Sequence, residues 1–184
     1  MIVSANIKKL LPIVSSLLVF LQFVGCAVNP SNAGISQTNN LYVSEENGFQ
    51  VDFAARPMTT LYHPEWYGHQ YDAVYYSLTT STGEYLVTVV DYTPLLEFGY
   101  DDIGHTNYFL KETMLLLASM VDGTVTSFVY EENPYPYATA LITASDELGG
   151  NVFYAKSMIV GIKLYTVVAT RRDAVHFVES IGFI

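Results

Sequence analysis

Asn151-Val152-Phe153-Tyr154-Ala155-Lys156-Ser157-Met158-Ile159-Val160-Gly161-Ile162-Lys163-Leu164-Tyr165-Thr166-Val167-Val168-Ala169-Thr170 holds two strand-like runs, Asn151–Val160 and Lys163–Thr170, with only Gly161-Ile162 between them. A parallel return needs a crossover of roughly a dozen residues, so this link makes the two runs antiparallel neighbours. Upstream, Leu148-Gly149-Gly150 separates the pair from Tyr137–Ala144, and Asn133-Pro134 separates that run from Thr124–Tyr130. Turn residues at every junction extend the reading to four successive antiparallel strands.

Working outward, Thr106–Val121 reads as a helix. Leu110, Met114, Leu117, Ala118 and Val121 fall on one stripe, Thr106 can cap its start, and Asp122-Gly123 can end it. A second helix is predicted over Asp173–Ile181, with Ala174, Phe177, Val178 and Ile181 as its buried stripe and Gly182 as its stop. Tyr71–Leu78 and Glu84–Tyr92 flank Thr79-Thr80-Ser81-Thr82-Gly83 and read as a hairpin. In Glu84–Tyr92, Tyr85, Val87 and Val89 mark one face and Leu86, Val90 and Tyr92 the other, the pattern of a strand covered on both sides. Nearer the N-terminus, Leu41–Val43 and Phe49–Phe53 flank Glu46-Asn47-Gly48, and Arg56-Pro57 closes this pair. Strands, helix, strands, helix predicts an α+β domain over residues 41–184: a single antiparallel sheet with flanking helices.

The opening Tyr42–Phe53 with Arg56-Pro57 after it, the mid-chain helix, and the ending Lys163–Ala169 followed by Phe177-Val178-Glu179-Ser180-Ile181 together resemble the PsbP/Mog1-like fold. The resemblance covers Leu41 to the C-terminus and consists of strands and turns. It implies a sheet flanked by helices and a role in binding or assembly. It implies no catalytic residue, because no functional residue of that family has a counterpart here.

The first 40 residues read differently. Lys8 and Lys9 precede a largely apolar stretch, Leu10–Val24, which is short for a membrane span of ~20 residues. This is the layout of an export signal. Phe23-Val24-Gly25-Cys26 resembles the lipobox cleaved by the bacterial lipoprotein signal peptidase, with small Gly25 fitting the pattern and Phe23 departing from the usual leucine. The resemblance implies a signal peptide over residues 1–25 and a fatty-acylated Cys26. An uncleaved anchor, or an ordinary signal peptide with an incidental cysteine, is the alternative. Residues 26–40 are polar, with Pro30 and Gly34, and read as a flexible spacer. Ala27 stands where aspartate would mark inner-membrane retention, which favours the outer membrane in a two-membrane cell.

Cys26 is the sole cysteine, so no disulfide can form within the chain. Setting aside Lys8 and Lys9, the rest holds 6 basic and 18 acidic residues, a formal net of −12. That field repels nucleic acid and anionic lipid, so nucleic acid is not an expected partner. The expected partners are a membrane, through lipid on Cys26, and a protein of the envelope.

Two local candidates stand out. His63, Glu65 and His69 hold two imidazoles and a carboxylate that suit a divalent metal, although a loop of aromatics folded onto the sheet accounts for the same residues. Trp66 and Tyr67, with Tyr135 from Tyr130–Tyr137, are candidates for an exposed aromatic patch that contacts protein or glycan; packing at the core rim is the alternative. Asp91, Glu97, Asp101, Asp102 and His105 crowd the approach to the first helix but lack the alternating spacing of a Ca²⁺ loop. Gly-x-Ser-x-Gly, Gly-x-Gly-x-x-Gly and the P-loop are absent from the sequence, so no catalytic residue, cofactor or metal is assigned. The expected function is a membrane-anchored binding or assembly module of the cell envelope rather than an enzyme. A metal-binding protein or metal-dependent enzyme using His63, Glu65 and His69 is the second reading.

Overall fold

The computed structural model describes residues 41–63, 65–66, 69–81, 83–91, 93, 103–145, 151–170 and 174–184. In chain order these form β1 (Leu41–Ser44), β2 (Phe49–Asp52), β3 (Met58–Tyr62), β4 (Glu65–Trp66), β5 (His69–Gln70), β6 (Ala73–Thr79) and β7 (Glu84–Asp91). Then come α1 (Ile103–Met120), β8 (Thr124–Glu131), β9 (Tyr137–Thr143), β10 (Val152–Val160), β11 (Lys163–Thr170), α2 (Ala174–Glu179) and β12 (Gly182–Phe183).

The short links act as expected. β8, β9, β10 and β11 form an antiparallel meander, with Lys163 opposite Val160 across the two-residue turn. The β6–β7 hairpin docks on its far side, where Thr166 of β11 pairs with Thr88 of β7. Seven strands result, in the order β3-β6-β7-β11-β10-β9-β8.

The expectation of one sheet flanked by helices is overturned. β1 and β2 do not extend the large sheet. They pair with each other and with β12 in a separate three-stranded sheet, and β4 pairs with β5 alone. Among the described residues strand accounts for 54% and helix for 19%, so the fold is mostly β. The physical reason lies in Phe49, Val51 and Phe53. These side chains bury fully by stacking over the face of the large sheet, with Phe49 edge-on to Tyr76 at 5.0 Å, and pairing at an edge would leave them in water. The second helix is also shorter than predicted, because Gly182 does not simply stop it but begins β12, which closes the small sheet.

Each face of the large sheet has its own core. On one face, Tyr85, Val87 and Val89 of β7 and Tyr165 and Val167 of β11 meet the small sheet and α2, whose Ala174, Phe177 and Val178 are buried as the stripe predicts. On the other, Ala138, Ala140 and Ile142 of β9 and Leu164 of β11 meet Leu110, Met114 and Ala118 of α1. Small alanines on β9 let the helix approach closely. After α1, Asp122 takes the left-handed conformation at φ 45°, and the Gly123 amide donates to the Ala118 carbonyl at 2.8 Å. Among the described residues no helix is long and apolar enough to cross a membrane.

Candidate functional site

Cys26, the leader 1–25, the spacer 26–40 and Tyr67 lie outside the described residues, as do Glu97, Asp101 and Asp102. The segment carrying the histidines is not a plain loop: it forms the β4–β5 ribbon, in which Trp66 is opposite His69 and Glu65 is opposite Gln70. His63 precedes the ribbon, and its Nδ1 lies 2.8 Å from Asp72 Oδ1, with 47% and 74% of the two side chains exposed. Nδ1 is therefore engaged by a carboxylate next to β6. Among the described residues no group of three or more His, Cys, Asp or Glu converges as a metal site. Asp91 instead closes a local turn, accepting from the amide and hydroxyl of Thr93 at 2.9 and 2.5 Å.

Tyr135 is half-buried between β8 and β9. Its ring meets Phe183 edge-on at 5.1 Å and Tyr137 at 6.4 Å, and it belongs to the core beneath the small sheet. β4 and β5 lie between β3 and β6, at the opposite edge of the large sheet. Trp66 and Tyr135 thus belong to segments next to opposite edges of the large sheet.

Beside Tyr135 is a polar cluster of a different kind. Glu179 of α2 accepts from the Tyr154 hydroxyl at 2.8 Å and from Lys156 Nζ at 2.6 Å. Lys156 also lies 4.8 Å over the Tyr137 ring, and Tyr137 donates to Glu131 at 2.5 Å. The Glu131 hydrogen bond, then burial, pushes the Tyr137 phenol up to about 12. Burial first, then the Glu179 hydrogen bond, pushes Tyr154 to about 12. Both phenols are held neutral as donors, Tyr137 joining β9 to Glu131 of β8 and Tyr154 joining β10 to Glu179 of α2.

Among the described residues a concave feature lies on the α1 face. Among the described residues, the main contacts of α1 are with β8, β9 and β10, and Leu164 of β11 joins the same core. Where α1 ends, this leaves a groove of about 80 Å³. Leu86, Val168 and Phe153 rise from the sheet, and Leu117 and Met120 descend from the helix, all half-buried. Polar side chains gather at the strand ends, where Thr79, Glu84 and Thr170 line the groove. That end is stiffly built. The Thr80 amide bonds the Gly83 carbonyl at 2.9 Å, and the Glu84 amide bonds Thr170 Oγ1 at 3.0 Å.

In the sequence, Leu117 falls on the apolar stripe of the helix and Leu86 on the second apolar face of its strand, so neither looks like a site. The usable signal was the apolar second face of β7, where Val90 packs into the α1 core and Leu86 stays half-buried. No protein-family model matches the chain, and no curated protein matches it.

Proposed function

We propose that this chain is a lipid-tethered binding module of a bacterial cell envelope, held at the outer membrane where the cell has two. The observation that carries this reading is the position of Cys26. The chain's sole cysteine follows Gly25, directly after the short apolar stretch that Lys8 and Lys9 introduce. A thiol there is where diacylglyceryl transfer needs it, and each buried methylene of an acyl chain contributes ~0.8 kcal/mol to membrane attachment. In this reading residues 26–40, polar with Pro30 and Gly34, serve as the tether. Fifteen residues span at most ~50 Å, enough to hold the domain clear of the headgroups. The groove beside α1 supplies a place for a ligand to bind.

The test is the intact mass of the chain extracted from membranes, alongside Cys26→Ser. The expected product begins at Cys26, carries the mass of its acyl chains, and moves to the soluble fraction when the cysteine is replaced. An unacylated mass, or unchanged fractionation of Cys26→Ser, overturns the tether.

A further inference from the structure

We infer that Asn47-Gly48 is a modification site, where the side-chain amide is lost to give aspartate or isoaspartate, and that the seat of the β1–β2 turn on the large sheet controls how fast this happens. The inference goes beyond the binding-module reading and does not depend on the tether.

The chemistry needs only the chain and water. The Gly48 amide nitrogen gives up its proton to solvent and attacks Cγ of Asn47. A new N–Cγ bond forms, the Cγ–Nδ2 bond breaks, and Nδ2 leaves as ammonia with a proton from solvent. The product is a cyclic imide. Water then opens it at either carbonyl. Opening at Cγ gives aspartate, and opening at the main-chain carbonyl gives isoaspartate, in which the chain runs on through Cγ. Nothing is oxidised or reduced. Asn47 is the sole asparagine of the chain that glycine follows. Glycine has no Cβ to obstruct ring closure, and its backbone is free to reach the conformation that closure requires.

In the fold, the atoms that must react are all held. Asn47 is 7% exposed. Its Nδ2 donates to the Tyr76 hydroxyl at 2.7 Å, and its Oδ1 accepts from Lys163 Nζ at 3.4 Å. Its main-chain carbonyl accepts from the Tyr165 hydroxyl at 2.7 Å. The attacking nitrogen of Gly48 donates to the Glu45 carbonyl at 3.3 Å, and the Gly48 carbonyl accepts from the Ile184 amide at 3.2 Å. Ring closure takes the Gly48 proton out of its bond to Glu45 and takes Nδ2 away from Tyr76. The partners come from β6, β11 and the C-terminal residue, so the reaction waits for the turn to lift from the large sheet. Such local opening has its own free energy, smaller than that of unfolding the whole domain.

The result is one-way. Both products put an oxygen where the Nδ2 donor stood. Isoaspartate also lengthens the main chain by one carbon between Cα of residue 47 and the Gly48 nitrogen. That displaces the carbonyl that Tyr165 holds and the Gly48 carbonyl that holds Ile184 beside β12. A turn that has lifted and reacted in this way cannot restore both bonds.

The test follows Asn47 by peptide mapping of the full chain kept folded in mildly alkaline buffer, with the same chain in urea as the open reference. The mass gain of amide-to-acid conversion and the altered retention of isoaspartate read the reaction at its site. Conversion should be at least roughly ten-fold slower in the fold than in urea. Tyr165→Phe frees the Asn47 carbonyl without changing Asn47 or Gly48, and should speed conversion in the folded chain roughly ten-fold. Phe183→Ala removes the ring contacts of β12 with Tyr165 at 4.8 Å and Tyr135 at 5.1 Å, and decides the matter if Tyr165→Phe does not fold. Leu110→Ala is the control, because Leu110 belongs to the core on the α1 face and not to the seat. It should leave the rate at Asn47 within roughly two-fold of the native chain. Absence of conversion in urea overturns the site. Conversion as fast in the fold as in urea, or unchanged in the folded seat variant, overturns control by the seat. Equal acceleration by Leu110→Ala overturns it too, because the opening would then be global.

Discussion

Tyr165, on the central strand of the large sheet, donates its hydroxyl to the carbonyl oxygen of Asn47 at 2.7 Å, across 118 residues of sequence. Its ring also meets Phe183 at 4.8 Å. One side chain thus clamps both the β1–β2 turn and the C-terminal strand β12, and the small sheet is seated through it.

Tyr76 completes the clamp. Asn47 Nδ2 donates to its hydroxyl at 2.7 Å, and Ser44 Oγ lies 3.0 Å from the same oxygen, all buried. Tyr76→Phe removes the shared partner and strands two buried polar groups. The expected loss is about 1–3 kcal/mol in urea unfolding, with the slope of the transition unchanged.

Two glycines should respond in opposite order to their backbone strain. A Cβ on Gly123 would lie 2.5 Å from the Thr143 carbonyl oxygen, and backbone must move to admit it. Gly161 has φ +61° but nothing within 4 Å. Gly161→Ala should cost about 1 kcal/mol from conformation alone, and Gly123→Ala should cost more, up to about 3 kcal/mol. Thermal melts of the two variants side by side test the ranking.

Alkali should loosen two contacts, that of β9 with β8 through Tyr137 and that of α2 with the sheet through Tyr154. Tyr137 and Tyr154 sit at about 12 in the fold against 10.0 for an ordinary phenol. A raised value means that the folded state holds the proton more tightly. The resulting stability is fully present below pH 10 and is lost as pH climbs from 10 towards about 12. Ultraviolet titration should show late-ionising phenols that disappear in Tyr137→Phe and Tyr154→Phe.

The α1 interface should separate its buried and exposed leucines. Leu110 is fully buried, whereas Leu115, five residues on, is 44% exposed. Leu110→Ala should destabilise by about 2–5 kcal/mol, and Leu115→Ala by about 0.5 kcal/mol or less, measured by chemical denaturation.

His63 and Asp72 are too exposed for their contact to matter much. A double-mutant cycle on the pair should return a coupling below about 1 kcal/mol that shrinks as salt is added. A larger, salt-insensitive coupling would show that solvent does not screen the pair.

The meander from β8 to β11 was legible because short turns leave the chain no alternative to antiparallel neighbours. The stripes of α1 and α2 were legible because helical spacing sorts apolar residues onto one side. β3 was not legible. Met58 and Leu61 remain largely exposed on an edge strand, so no alternation of burial marks it. Gly182-Phe183 is too short to carry a period, and it is a strand only because β2 offers it a partner. The candidate site was least legible of all. Leu86 and Leu117 look like ordinary core residues until α1 is seen to lie to one side of β7.

By itself, the sequence determined local direction and sidedness: which runs extend, which coil, where turns force reversal, and that Phe49, Val51 and Phe53 must be buried. Packing in three dimensions sets what buries them, and seats the first strands over the large sheet instead of at its edge. The reason is range. Turn chemistry and periodicity act over a few residues, whereas the Tyr165 to Asn47 contact joins segments 118 residues apart, and the seat of α1 depends on three separate strands at once.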